Sequence, residues 1–165
     1  TDHDAWMRNY FKKELGIDVF FEPKKFKINS KKFFIGHGDG LGPGDYGYKF
    51  LKLIFRNSFF KFLFSCIHPD ISIRIGEYLS RKNSVISGKE IKFESNEKEL
   101  LFNYCKKILK SDHYNYFVFG HRHLPLKINL GNNSEYYNCG DWFNHYSYLD
   151  FTNSELTLKY FNPEI

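Results

Sequence analysis

Two apolar runs end in histidine, and they constrain this chain more than anything else in it. Tyr116-Phe117-Val118-Phe119 runs into Gly120-His121-Arg122-His123, and Lys32-Phe33-Phe34-Ile35 runs into Gly36-His37-Gly38-Asp39. Each run reads as a buried strand whose C-terminal end delivers imidazoles. Parallel strands of one sheet bring their C-terminal ends to the same edge, so the pattern predicts that His37, His121 and His123 converge there as ligands of one or two divalent metals. The glycines around them permit tight backbone paths that aim side chains inward. Asp39 reads either as a carboxylate that orients a ligand imidazole or as the start of a loop turn. Two histidines one residue apart can each reach a different ion of a dinuclear pair, whose metals lie about 3.5 to 4 Å apart.

Composition allows such a site in one domain. The chain has 165 residues, 42% of them hydrophobic and 20% aromatic, which suits a packed core and excludes a disordered chain. Lys and Arg exceed Asp and Glu by 24 to 19, which reads as a solvated face or as an anionic partner. Cys66, Cys105 and Cys139 form no Cys-x-x-Cys pair, which argues against a disulfide framework or zinc ribbon and fits a reducing compartment. Without a secretory signal or a bilayer-length apolar run, the chain reads as soluble or peripheral. It opens on Thr1 and almost at once enters helical spacing, which predicts an N-terminally incomplete chain.

Along the chain, Asp4 to Leu15 reads as a packing helix with the stripe Trp6, Met7, Tyr10, Phe11 and Leu15, closed by Gly16. Short strands are predicted at Ile17 to Phe21, Lys25 to Ile28 and Lys31 to Ile35, with Asn29-Ser30 turning between the last two. A glycine-rich loop follows from Gly36 to Gly47. Residues 46–67 are apolar on nearly every helical side, interrupted by Lys49, Lys52, Arg56 and Lys61. Two such helices in so small a protein read as an apolar lid with a basic fringe. Helices are expected from Asp70 to about Lys82 and from Asn96 to Lys110. The tail alternates strands and turns: Leu126 to Leu130, the turn Gly131-Asn132-Asn133-Ser134, Glu135 to Asn138, Tyr146 to Phe151 and Glu155 to Phe161. His68 reads as a loop residue, and His113 and His145 as surface or locally bonded histidines.

These residues resemble the calcineurin-like metallophosphoesterases. Gly120 to His123 matches their Gly-His-x-His, His37 their lone metal-binding His, and Thr1-Asp2-His3-Asp4 their Gly-Asn-His-Asp, with departures in its first two positions. Further phrases narrow the likeness to the diphosphatases that act on UDP-2,3-diacylglucosamine in lipid A biosynthesis, in a Bacteroidetes-like branch. They are Asp4-Ala5-Trp6-Met7, His37-Gly38-Asp39-Gly40, the apolar insertion, Phe119 to Leu126 and Asn138-Cys139-Gly140-Asp141-Trp142. The likeness covers essentially the whole chain.

It implies an α+β fold, the C-terminal part of a four-layer αββα sandwich with a helical lid at about 46–83, all within one domain. It implies cleavage of the pyrophosphate to UMP and a monophosphorylated lipid, with two divalent ions, manganese foremost. His37 and His121 would hold one metal and His123 the other, Asp2 would stand at a metal-binding Asn position, and His3 would assist phosphoryl transfer. Asp4 and Asp39 would orient ligands and Phe59 and Phe62 would cover acyl chains; from charge and position alone, Lys49, Lys52 and Arg56 are expected to meet phosphates or anionic headgroups. The family's Asp-x-His and Gly-Asp-x-x-Asp motifs have no equivalent here, so the chain alone is expected to lack three ligands and to be inactive. The resemblance places the protein in the cytoplasm at the inner-membrane surface, with no nucleic-acid partner. A soluble-nucleotide phosphodiesterase and a noncatalytic metal-binding or membrane-associating module stay open as alternatives.

Overall fold

The computed structural model describes residues 8–41, 49–50, 53–54, 56–75, 77–78 and 100–162. The chain divides into two compact units, Thr1–Val19 with Gly44–Lys92, and Phe20–Pro43 with Phe93–Ile165.

The second unit is a mixed α+β structure. Its five-stranded sheet has the order β1 (Lys24–Ile28), β2 (Lys31–Ile35), β3 (Tyr116–Phe119), β5 (Ser134–Cys139), β4 (Pro125–Gly131). Strands β2, β3 and β5 run parallel, while β1 pairs antiparallel with β2 and β4 with β5. The apolar runs arise because both faces of the parallel strands are covered. On one face Phe34, Phe117, Phe119 and Tyr136 pack with Leu101 and Cys105 of helix α3 (Leu100–Leu109). On the other, Phe33, Tyr116 and Tyr137 pack with Leu156 and with partly buried Leu149, Phe151 and Leu158 of a two-stranded sheet, β6 (Ser147–Thr152) and β7 (Glu155–Tyr160). Phe33 and Phe34 point to opposite faces because strand side chains alternate, and Phe33 meets Phe151 edge to face with ring centroids 5.0 Å apart.

The layers are tied by buried polar groups as well as by area. The Tyr137 hydroxyl lies 2.6 Å from the Leu156 carbonyl oxygen and 2.9 Å from the Glu135 carboxylate. Burial pushes that hydroxyl's pKa up to about 12. Three two-residue hairpin turns, Asn29-Ser30, Asn132-Asn133 and Asn153-Ser154, have both central residues at positive φ. That is the twist-matched hairpin conformation, and Asn tolerates it best after glycine.

In the first unit, α1 (Arg8–Leu15) ends at Gly16, where φ is +65° and the Ile17 amide reaches back to the Phe11 carbonyl at 3.0 Å. Tyr10 and Leu15 remain exposed and only Phe11 is partly buried, so the expected packing stripe is mostly open among its described members. Trp6 and Met7 lie outside the described residues. The expected strand at Ile17 to Phe21 does not form. The Ile17 amide is spent on the helix cap, and Asp18 pairs with Lys12 at 2.5 Å.

Between the expected lid helices Asn57 makes a break. Residues 49–50, 53–54 and 56 are helical, and α2 (Ser58–Ser65) starts anew, its first turn capped by Asn57 Oδ1 accepting from the Phe59 amide at 2.8 Å. The next helix covers residues 69–75 and 77–78. His68 is its cap rather than a plain loop residue: its carbonyl accepts from the Ile71 and Ser72 amides, and Pro69 takes the first helical position. No described helix is long and apolar enough to cross a membrane.

Candidate functional site

The parallel strands β2, β3 and β5 deliver three loops to one edge of the sheet. The β2 loop stays in register with β3, since the Gly36 amide donates to the Val118 carbonyl at 3.0 Å. One residue on, the His37 carbonyl accepts two amides, Gly120 at 3.0 Å and His121 at 2.8 Å. The two loops are thereby fastened backbone to backbone, and the His37 and His121 rings stand 5.3 Å apart at 80°.

Glycine makes this approach possible. Gly38 has φ +107°, and a Cβ there would lie 3.0 Å from Leu101 Cδ1 and 3.2 Å from His121 Cβ. A Cβ on Gly120 would lie 3.3 Å from Cys139 Sγ and 3.8 Å from His37 Nδ1. At Gly38 a side chain would be strained by the backbone angle and crowd α3, and at Gly120 one would press on Cys139 Sγ.

His37 is half-buried, and burial lowers its pKa to about 4, with His121 and His123 pushing the same way and Asp39 opposing them. At neutral pH its imidazole is uncharged and has a nitrogen lone pair to offer, the form a metal requires. Ring centroids 5.3 Å apart also suit two nitrogens on one ion, given metal–nitrogen distances of about 2.1 Å. This pair therefore fits part of a metal centre. His123 follows at φ +52°, its amide donating to the Gly120 carbonyl at 3.1 Å, and is exposed. Among the described residues no three His, Cys, Asp or Glu side chains gather closely enough to hold an ion. Asp2, His3 and Asp4 lie outside the described residues.

The third loop, after β5, contains chemistry that the strand-end pattern did not disclose. A Cβ on Gly140, at φ +72°, would overlap Ser147 Oγ, which itself donates to the Cys139 carbonyl at 2.7 Å. Asp141 then builds the loop. Its Oδ1 accepts from the amides of Phe143, Asn144 and His145 at 3.1, 2.6 and 3.2 Å, and its Oδ2 from Asn144 Nδ2 at 2.9 Å. These donors, the Asn144 side chain foremost, hold the carboxyl well below the usual carboxylate range. The loop carries Trp142, which packs against Tyr146, Tyr148 and Phe161. An Asp followed at the third position by Asn was the available signal for this turn. Asn138, fully buried beneath the loop, accepts the Gly140 amide through Oδ1, while its Nδ2 finds no partner among the described residues.

The predicted lid residues belong to the other unit. Phe59 and Phe62 are 66% and 67% exposed, and α2 buries none of its residues. Lys49 and Arg56 are partly buried, and Lys52 lies outside the described residues. His113 is exposed, and His145 Nδ1 lies 3.6 Å from Asp141 Oδ2.

No family model matches the chain. It is similar to the UDP-2,3-diacylglucosamine hydrolase of Porphyromonas gingivalis, at 27% identity over 96% of this chain and 65% of that protein. It is also similar to the protein of the same name from Shewanella baltica, at 22% identity over the same shares. The chain thus spans just under two thirds of the length of these curated relatives. Both bear the name of the family that the motifs resemble.

Proposed function

We propose that the protein of which this chain forms the whole or a part is a hydrolase that cleaves the pyrophosphate bond of UDP-2,3-diacylglucosamine in lipid A biosynthesis. Its products are UMP and 2,3-diacylglucosamine 1-phosphate. The observation that carries the reading is the His37–His121 pair, fastened by one carbonyl at the C-terminal edge of a parallel sheet, in a chain whose relatives are named for this substrate. In the reaction water adds at one phosphorus, the bond from that phosphorus to the bridging oxygen breaks, and the departing oxygen takes up a proton.

His37, His121 and His123 are the proposed metal ligands, joined by Asp2, and Asp39 is the proposed orienting carboxylate. Divalent ions, manganese foremost, would lower the pKa of the attacking water and offset charge at phosphorus. The chain's own contribution is to keep His37 uncharged by burial and to fix its ring against His121 before substrate arrives. His3 is assigned the proton at the leaving oxygen. Lys49, Lys52 and Arg56 would meet the phosphates, while exposed Phe59 and Phe62 would cover acyl chains as an apolar lid at the inner-membrane surface.

UMP release with added manganese tests this, comparing the chain with a longer version that supplies the rest of the relatives' length. Turnover by the longer version, lost by more than roughly 100-fold in His37→Ala or His121→Ala, is expected, since even the outer partners of ligands cost 10–100-fold. Absence of UMP from both versions would refute the assignment. Changing Phe59 and Phe62 to Ser should reduce turnover of the lipid substrate and spare a soluble phosphodiester; equal losses would remove the lid from the reading.

A further inference from the structure

The turn Gly120-His121-Arg122-His123 seats an arginine between two of the proposed metal ligands. Its backbone is fixed on both sides. The His121 amide donates to the His37 carbonyl at 2.8 Å, and the His123 amide closes the turn on the Gly120 carbonyl at 3.1 Å. Consecutive Cα atoms lie about 3.8 Å apart, and an extended arginine side chain is longer than that step. Distance alone therefore puts a phosphate on an ion held by His121 within reach of the Arg122 guanidinium.

Charge makes the position informative. Loops 36–41, 120–124 and 140–146 form the catalytic edge, and among their described residues Arg122 is the only Lys or Arg, alongside the carboxylates of Asp39 and Asp141. Asp141 is spent on the donors of its own loop, and Lys49, Lys52 and Arg56 belong to the other compact unit. Each phosphate of a pyrophosphate bears negative charge, and fixed cations aimed at it act together with metal ions in holding and stabilising it.

An arginine in a surface turn is ordinarily a solvated charge. Arg122 differs, because the residue is partly buried and its Nε is closed to water. That burial restrains the guanidinium before any ligand arrives. A restrained planar fork loses less freedom on binding than a swinging ammonium, and it matches two phosphate oxygens at once.

We infer that Arg122 is a phosphate-binding residue of this site, its guanidinium holding oxygens of the substrate's pyrophosphate between the ligands His121 and His123. The inference deepens the proposed function by naming a cation that the catalytic edge itself supplies, and it rests on that reading for the identity of the substrate.

The test uses the longer version that supplies the rest of the relatives' length, with manganese. It measures UMP release, equilibrium binding of UDP, which carries both phosphates, and manganese affinity by calorimetry. Arg122→Met keeps the apolar stem of the side chain and removes the charge. It should lower kcat/KM for UMP release roughly 10- to 100-fold, the worth of a charge-assisted hydrogen bond, and weaken UDP binding about tenfold. Manganese affinity and circular dichroism should stay at wild-type values. If the Met variant loses its circular dichroism, Arg122→Gln takes its place under the same criteria. Turnover and UDP binding at wild-type levels overturn the inference. So does a matching loss of manganese affinity, which would make Arg122 a support for its neighbouring histidines. No UMP from the wild type refutes the proposed function and this inference with it, whereas UMP from the wild type and an indifferent variant refute the inference alone.

Discussion

Helices α2 and α3 are both short and rich in apolar residues, yet they meet opposite fates. In α3 the apolar residues fall on one stripe. Leu101 and Cys105, four apart, are buried in the sheet face, with Phe102, Tyr104, Ile108 and Leu109 packed beside them. Its lysines stay on the outer side, where Lys106 lies over Phe102 and donates to the Leu130 carbonyl. In α2, Phe59, Phe60, Phe62, Leu63 and Phe64 fall on one broad side, opposite Ser58, Lys61 and Ser65, yet none is buried. A one-sided apolar face alone does not secure burial: α3 has a sheet face to lie on, and α2 buries none of its residues. A helix of eight residues without buried contacts depends on its local bonds, because so short a helix is marginal in isolation.

The largest expected effect tests the buried side of the contrast. Leu101→Ala should cost about 3 kcal/mol in urea unfolding, since the side chain is 3% exposed and fills the space beside Gly38. It should also loosen the His37 loop. Next comes the Asp141 loop, held by local bonds like α2 although it belongs to the sheet unit. Its carboxyl binds protons less readily when folded than when unfolded, so the unfolded chain takes up more protons in acid. The stabilisation is complete above about pH 4 and fades as pH falls further. Trp142 fluorescence should report loop loosening in that window, and Asp141→Asn should abolish the transition.

Asn57→Ala should cost about 1 kcal/mol, read as lost helical circular dichroism, because it removes the cap of a helix that buries none of its residues. Smallest of all, Phe62→Ser should change stability by less than about 0.5 kcal/mol. A cost comparable to that of Leu101→Ala would mean that α2 is a packed element and would erase the contrast.

The same distinction separates what could be read from the sequence from what could not. Strands β2 and β3 were legible because an apolar run bounded by turns has few other outcomes, and the Asn29-Ser30 turn because Asn accepts positive φ. The convergence of His37 and His121 on one edge followed from parallel strand direction, which β2 and β3 share. The expectation at Ile17 to Phe21 failed because the cap at Gly16, itself legible, also takes up the backbone amide of Ile17. The Asp141 loop was equally hidden. Its carboxylate works on the backbone amides of its successors, and the motif Gly140-Asp141-Trp142 names the residues without disclosing the bonds. Two lid helices were legible in residues 46–67, but not the boundary between them at Asn57, although a cap residue inside such a stretch marks a restart.

The single carbonyl of His37 that receives two amides has a kinetic consequence. Parting the β2 loop from the β3 loop at that oxygen frees the Gly120 and His121 amides together, so exchange through that opening should reach both at similar rates. The same opening parts the His37 imidazole from that of His121, so the occupancy of the paired form depends on that local equilibrium.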